Sequence, residues 1–238
     1  MFYGDNMEIY NKLERLKSTL EDMEEIAVAY SGGVDSTLLL ALAGQVLGDG
    51  VVAVTVDSAF IPREELALAL EFARARGMRH MVVSLDPLRL EGVADNSVDR
   101  CYVCKKHIFS AIKKAASDCG IDVVADGSNA DDRNDYRPGL KALEELGVVS
   151  PLKDAGLTKE EIRFLARDMG LAVWDKPSAA CLASRFPYGT ELTREKLAMV
   201  EEAEKFLHGQ GFRQVRVRCH NDIARIEVSK NEMNKFLD

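Results

Sequence analysis

Ile26-Ala27-Val28-Ala29-Tyr30-Ser31-Gly32-Gly33-Val34-Asp35-Ser36-Thr37 is the stretch on which the fold turns. Its first five residues form an apolar run of strand length, two glycines break it, and an apolar stretch of helical length follows from Val34 to Leu47. A strand that turns through glycine into a helix leaves free backbone N–H groups at the positive end of the helix dipole, which is where phosphate binds. Gly32 and Gly33 let the backbone turn tightly and come close to an anion. The common phosphate loop carries a lysine before its last Ser or Thr, and here that slot is Asp35. The expected cradle is therefore Ser31, Gly32, Gly33, Asp35 and Ser36, gripping phosphate by backbone, hydroxyls and a metal rather than by a lysine.

Outward from this stretch the chain alternates. Ile9, Leu13, Leu16 and Leu20 recur at helical spacing ahead of it. After it, residues 51–56, 80–85 and 121–125 read as strands, with helices at 63–75 and 105–116 between them. Residues 148–152 read as a fifth strand, and Thr158 with Glu161 forms a capping box for a helix reaching Met169. This alternation predicts an α/β fold, a parallel sheet with helices on both faces. Ligands of such sheets bind beyond the carboxyl ends of the strands. Asp57 and Ser58 follow one strand and the Gly127-to-Asp132 segment follows another, so both join the phosphate cradle at one edge. Past residue 188 the pattern becomes helix (193–208), strand (212–218), strand (223–228) and a helix start at 231. The chain thus divides into a nucleotide domain, 1–188, and a small α+β C-terminal appendage, 189–238.

The 238 residues, 47% of them hydrophobic, suffice for one large core plus that appendage. No run is long and apolar enough to span a bilayer, and the first residues lack a signal-peptide pattern, so a cytoplasmic location without structural disulfides is expected. A net charge of −8 argues against a bulk nucleic acid as partner.

Cys101-Tyr102-Val103-Cys104 is a Cys-x-x-Cys, and Cys181 opens Cys181-Leu182-Ala183-Ser184-Arg185. Alone, the pair reads as a redox dithiol, half a zinc site or part of an iron–sulfur site. Zinc would need a fourth ligand, with His107, Cys119 and His220 as candidates. Arg100 and Arg185 lie beside cysteines and favour the thiolate form. Arg216 and Arg218 share one face of a strand, suited to holding a substrate phosphate.

Ser31–Ser36 resembles the PP-loop of the N-type ATP pyrophosphatases. Four stretches in order, Ser31–Ser36, Gly127–Asp132, Asp135–Gly139 and Cys181–Gly189, resemble the LarE family of ATP-dependent sulfur transferases, and the similarity runs from about Leu13 to the chain end. The resemblance implies a PP-loop fold and an enzyme that uses ATP and Mg2+, releasing AMP and pyrophosphate. Its implied substrate is pyridinium-3,5-biscarboxylate mononucleotide, adenylated on a carboxylate and converted to the thiocarboxylate toward the nickel-pincer nucleotide. Cys101, Cys104 and Cys181 together resemble the subtype that carries sulfur on a 4Fe–4S cluster. Members with only the cysteine matching Cys181 give up its sulfur instead.

The implied roles are catalysis and cluster ligation for the three cysteines, and Mg2+ ligation for Asp35. Nucleotide contact falls to Asp57, Ser58 and Gly127 with the cradle, and substrate contact to Asp131, Asp132, Arg185, Arg216 and Arg218. A homo-oligomer, hexamer or trimer, is implied, as is a further strand beyond residue 238; the sulfide donor is not. Two other readings remain at this point: a tRNA-thiolating PP-loop enzyme, which the acidic charge opposes, and a non-catalytic ATP-binding protein with structural zinc.

Overall fold

The computed structural model describes residues 3–134 and 138–237. An amphipathic helix, α1 (Tyr3–Glu21), leads into β1 (Ile26–Ala29), α2 (Val34–Leu47), β2 (Val51–Asp57), α3 (Arg63–Ala75) and β3 (Arg79–Ser84). Helix α4 (Arg100–Asp118) then crosses to β4 (Val124–Ala125). Three helices follow, α5 (Pro138–Glu145), α6 (Pro151–Asp154) and α7 (Lys159–Asp168), before α8 (Arg194–Gly209) and the pair β5 (Val215–His220) and β6 (Ile223–Val228).

The first four strands form one parallel sheet in the order β3-β2-β1-β4. β1 and β2 are almost wholly buried, which is why both are continuous apolar runs rather than alternating ones. Helices α2 and α3 pack on one face, and there Leu38–Ala43 are buried all round because α1 and α7 cover α2 from outside. Helix α4 covers the opposite face with Phe109, Ile112, Ala115 and Ala116. The chain therefore winds both ways from β1, and the crevice opens between the carboxyl ends of β1 and β4.

Three expected elements differ. Residues 148–152 do not make a fifth strand: Val149 forms a single parallel bridge with Ala125, and Pro151, with no N–H to give a ladder, starts α6 instead. Helix α4 begins at Arg100, so the Cys-x-x-Cys occupies its first turns rather than a preceding loop. The segment after β6 is a 3-10 helix, Lys230–Phe236. Elsewhere, the Thr158–Glu161 capping box is present in full.

The small C-terminal sheet packs its Val215 and Val217 with Leu207 of α8 and Phe212. The other end of α8 turns Leu197 and Val200 toward Phe60, Val93, Cys104 and Leu182. No helix among the described residues is long and apolar enough to cross a membrane.

Candidate active site

The Ser31–Ser36 loop leaves β1 and closes on itself through hydroxyls. The hydroxyls of Ser31 and Ser36 lie 3.1 Å apart, and Ser36 Oγ donates to the Gly33 carbonyl at 3.2 Å. Gly32 has φ +73, and a Cβ there would lie 3.2 Å from the Cβ of Ala69 on α3. Any side chain would therefore both strain this turn and crowd α3. Gly33 caps α2 with no side-chain hydrogen bond, leaving the first amides of the helix to a ligand.

The loop after β4 lies directly on this turn. A Cβ on Gly127 would sit 3.0 Å from the backbone nitrogen of Ser36, so any side chain there would push the two loops apart by a few tenths of an ångström. Asn129 Nδ2 donates to Asp35 Oδ1 at 3.1 Å, and Lys159 Nζ bonds the other oxygen of Asp35. Lys176 Nζ reaches the Gly32 carbonyl at 3.3 Å and pairs with Glu65 at 2.8 Å. The loop without a lysine of its own is thus served by two lysines from far along the chain. Asp132 is buried and accepts the Asn129 amide at 2.9 Å, while Asp131 accepts the Lys159 amide at 2.9 Å. Both aspartates hold this loop in shape beside Asp35. The Asp135, Tyr136 and Arg137 of the third family-like stretch lie outside the described residues.

Asp57 and Ser58, at the end of β2, are gripped by Arg63. Its guanidinium pairs with Asp57 at 2.5 Å and donates to the carbonyls of Ser58 and Ile61. They line a cavity of about 630 Å³ with Asp86, Arg194 and Glu201 at the same edge of the sheet.

The turn carrying Cys181 is tied to this loop, since Leu182 N–H donates to the Phe60 carbonyl at 2.9 Å. Cys104 and Cys101 come from α4, and the charges of the three thiols act on one another, which places them in one neighbourhood. Arg100 is buried between them, donating to Cys101 Sγ at 3.6 Å and to the Ala183 carbonyl at 3.0 Å. The arginines do favour the thiolate of Cys104 and Cys181, but burial outweighs them. Burial pushes the Cys104 thiol up to about 12, with Cys181 and Cys101 adding to the rise, and Arg100 only partly offsets it. Cys181 is also raised, chiefly by burial, although the residue as a whole is exposed. Among the described residues no three His, Cys, Asp or Glu side chains converge closely enough to hold a single metal ion. Cys119 instead contacts Met81 at 3.2 Å, among the residues packed against the α4 face of the sheet.

Arg185 does not face outward. Only 3% exposed, it forms a bidentate pair with Glu204 of α8 (6% exposed) at 2.8 Å through Nε and 2.8 Å through Nη2. Its Nη1 holds the carbonyls of Ala180 at 2.9 Å and Cys181 at 3.2 Å. This guanidinium shapes the Cys181 turn. Arg218 pairs with Glu227 at 2.8 Å and donates to the Ser184 carbonyl at 3.0 Å, and Arg216 stands on the same strand face, across from Glu227.

Comparison with known proteins agrees with this geometry. Residues 23–208 match a family model described as a family of unknown function (DUF7411). A pyridinium-3,5-bisthiocarboxylic acid mononucleotide synthase of Lactiplantibacillus plantarum is 42% identical over 227 residues, 95% of this chain and 82% of its own length. The chain belongs to the LarE family. A Synechocystis protein described as uncharacterized is 40% identical over 227 residues, 95% of this chain and 85% of its own. A glutamine-hydrolyzing GMP synthase chain of Pyrococcus furiosus, at 29% identity over 217 residues, 82% of this chain and 66% of its own, extends the similarity to other PP-loop proteins. The protein is an enzyme of the ATP-using PP-loop class, and its fold is the PP-loop fold.

Proposed function

We propose that this LarE-family chain adenylates a carboxylate of pyridinium-3,5-biscarboxylate mononucleotide and replaces its activated oxygen with sulfur, in nickel-pincer nucleotide synthesis. The observation that carries the reading is the Phe60–Leu182 hydrogen bond, which sets the Cys181 turn, with Cys101 and Cys104 nearby, against the loop leaving β2. Nucleotide cradle and sulfur chemistry then share one edge of the sheet.

In the first half-reaction a substrate carboxylate oxygen bonds to the α-phosphorus of ATP as the bond to the β-phosphate oxygen breaks, releasing pyrophosphate. Such transfer depends mainly on positioning and charge stabilisation. The amides of Val34, Asp35 and Ser36 at the start of α2 and the hydroxyls of Ser31 and Ser36 receive the pyrophosphate portion. Asp35 would hold Mg2+, whose role is to neutralise phosphate charge. Lys159 and Lys176 supply the cations that the loop itself lacks. Arg216 and Arg218 are assigned to the substrate phosphate. In the second half-reaction sulfide attacks the acyl carbon and AMP leaves with the oxygen.

The donor set suits a 4Fe–4S cluster. It consists of three thiols, that of Cys104 buried among apolar residues such as Phe60 and Leu182, and a cubane takes each thiolate on a separate iron, so the thiols need not converge on one point. Cys101, Cys104 and Cys181 would hold the cluster, which would supply the sulfur for transfer to the adenylate. Its positive charge would also favour the ionised forms of Cys104 and Cys181, which burial disfavours.

Anaerobic purification followed by an absorbance spectrum and iron, sulfide and zinc assays tests the reading. About four irons per chain, lost together with multiple turnover in Cys104→Ala, supports it. Stoichiometric zinc without pyrophosphate release would refute it. A metal-free protein whose Cys181 loses its sulfur in one turnover would keep the adenylation chemistry and remove the cluster.

A further inference from the structure

The turn Pro187-Tyr188-Gly189-Thr190, just past the Cys181 segment, carries an exposed ring on a firmly pinned backbone. Thr190 N–H donates to the Pro187 carbonyl at 3.1 Å, and Gly189, at φ +79, takes the third position, where a turn of this kind needs glycine. Asn96, wholly buried and at φ +54, clamps the turn. Its Nδ2 donates to the carbonyls of Phe186 at 3.3 Å and Pro187 at 2.7 Å, and its own carbonyl accepts the Gly189 N–H at 3.0 Å. Its Oδ1 accepts from Arg100. Phe186 anchors the turn in the apolar cluster that contains Cys104 and Leu182. Tyr188 itself is nonetheless 62% exposed. The Arg100 guanidinium lies over its ring, 5.9 Å from the centroid, and the same guanidinium donates to Cys101 Sγ at 3.6 Å. Its charge also acts on Cys104 and Cys181. One side of the phenol ring is thus held by a cation that serves the three thiols, while the rest of the ring faces solvent.

We propose that Tyr188 is the platform on which the pyridinium ring of the substrate stacks; the inference rests on the substrate proposed for this chain. That ring is flat, aromatic and positively charged at nitrogen, so the electron-rich face of a phenol attracts it as it attracts other organic cations. Its carboxylates lie at the ring edge, and a face-to-face contact leaves both free to react. Together with the phosphate they make the ligand anionic as a whole, so Arg100 on the far side of the phenol attracts rather than repels it. Because the turn is already fixed, little ordering cost falls on binding. Adenine also stacks on phenol rings, but it travels with the triphosphate held at the start of α2, whereas Tyr188 stands with the thiols. Its place assigns it to the molecule that accepts sulfur.

The test is calorimetric titration of the intact chain with pyridinium-3,5-biscarboxylate mononucleotide and, separately, with ATP. Tyr188→Leu should weaken mononucleotide binding about 5–100-fold, the range for a ring stacked on an aromatic side chain, and leave ATP binding as it was. Tyr188→Phe should keep both. Tyr188→Trp should show a new long-wavelength absorption band on addition of the mononucleotide, from charge transfer between indole and pyridinium. Benzene-1,3-dicarboxylate, with the same acids on an uncharged ring, should give no band. A purely structural role for Tyr188 would not produce that signature, and the band is read even if the leucine variant folds poorly. Unweakened mononucleotide binding in Tyr188→Leu, ATP binding lost in step with it, or no band in Tyr188→Trp would each overturn the proposal while leaving the substrate intact. An unaltered protein that neither binds the mononucleotide nor releases pyrophosphate with it would instead remove the substrate, and the stacking with it.

Discussion

Replacing Glu204 by glutamine keeps the shape of the side chain and removes its charge. Both partners of the Arg185–Glu204 pair are buried, at 3% and 6% exposure, and they meet through two hydrogen bonds of 2.8 Å. A surface pair of this kind would be worth under about 1 kcal/mol. Here the substitution leaves a buried guanidinium without a counter-charge, which costs about 3–5 kcal/mol. The Val217 amide keeps an acceptor in the glutamine oxygen, so the change reports the charge rather than the hydrogen bond. For a chain of this size the loss corresponds to a fall in melting temperature of roughly 6–20 °C. Urea denaturation of Glu204→Gln, Arg185→Met and the double variant Arg185→Met/Glu204→Leu gives the coupling. The double variant should be more stable than either single one, because the uncompensated charge has gone. A single-variant loss below about 1 kcal/mol, or strict additivity, would refute the argument that this pair fixes the Cys181 turn through a desolvated charge.

Gly127→Ala places a methyl 3.0 Å from the Ser36 nitrogen, so it should lower stability by about 1–3 kcal/mol and weaken ATP binding, both readable by calorimetry. Lys159→Met should slow pyrophosphate release by roughly 10–100-fold, the range for hydrogen bonds to charged groups, and an unchanged rate would confine Lys159 to holding Asp35. For the metal-free protein, the raised pKa of Cys104 predicts a particular pH dependence. The folded state keeps its proton up to about 12 while the unfolded chain loses it near 9, so stability is whole below pH 9 and drains as pH rises toward 12. The slope is at most about 1.4 kcal/mol per pH unit, and unfolding titrations should find it absent in Cys104→Ala.

The sheet, α2, α3 and α7 were legible because each carries a local stop or start: the glycines at 32, 33, 48 and 77, and the Thr158–Glu161 box. Residues 148–152 misled because their β-branched pair fits a strand while Pro151 denies the ladder its donor. Lys159 escaped notice because its meeting with Asp35 spans 124 residues, and nothing local marks it. The inward turn of Arg185 did leave a trace. Glu204 sits in the apolar stripe Leu197, Val200, Leu207 of α8, and a carboxylate on a core-facing stripe requires a buried cation.

One backbone hydrogen bond, Phe60 to Leu182, has a mechanical meaning beyond its place in the fold. The loop leaving β2 cannot shift its backbone without carrying the Cys181 turn along or breaking that bond. Any backbone movement of the loop leaving β2 is thereby passed to the turn that carries Cys181 without a second domain to relay it.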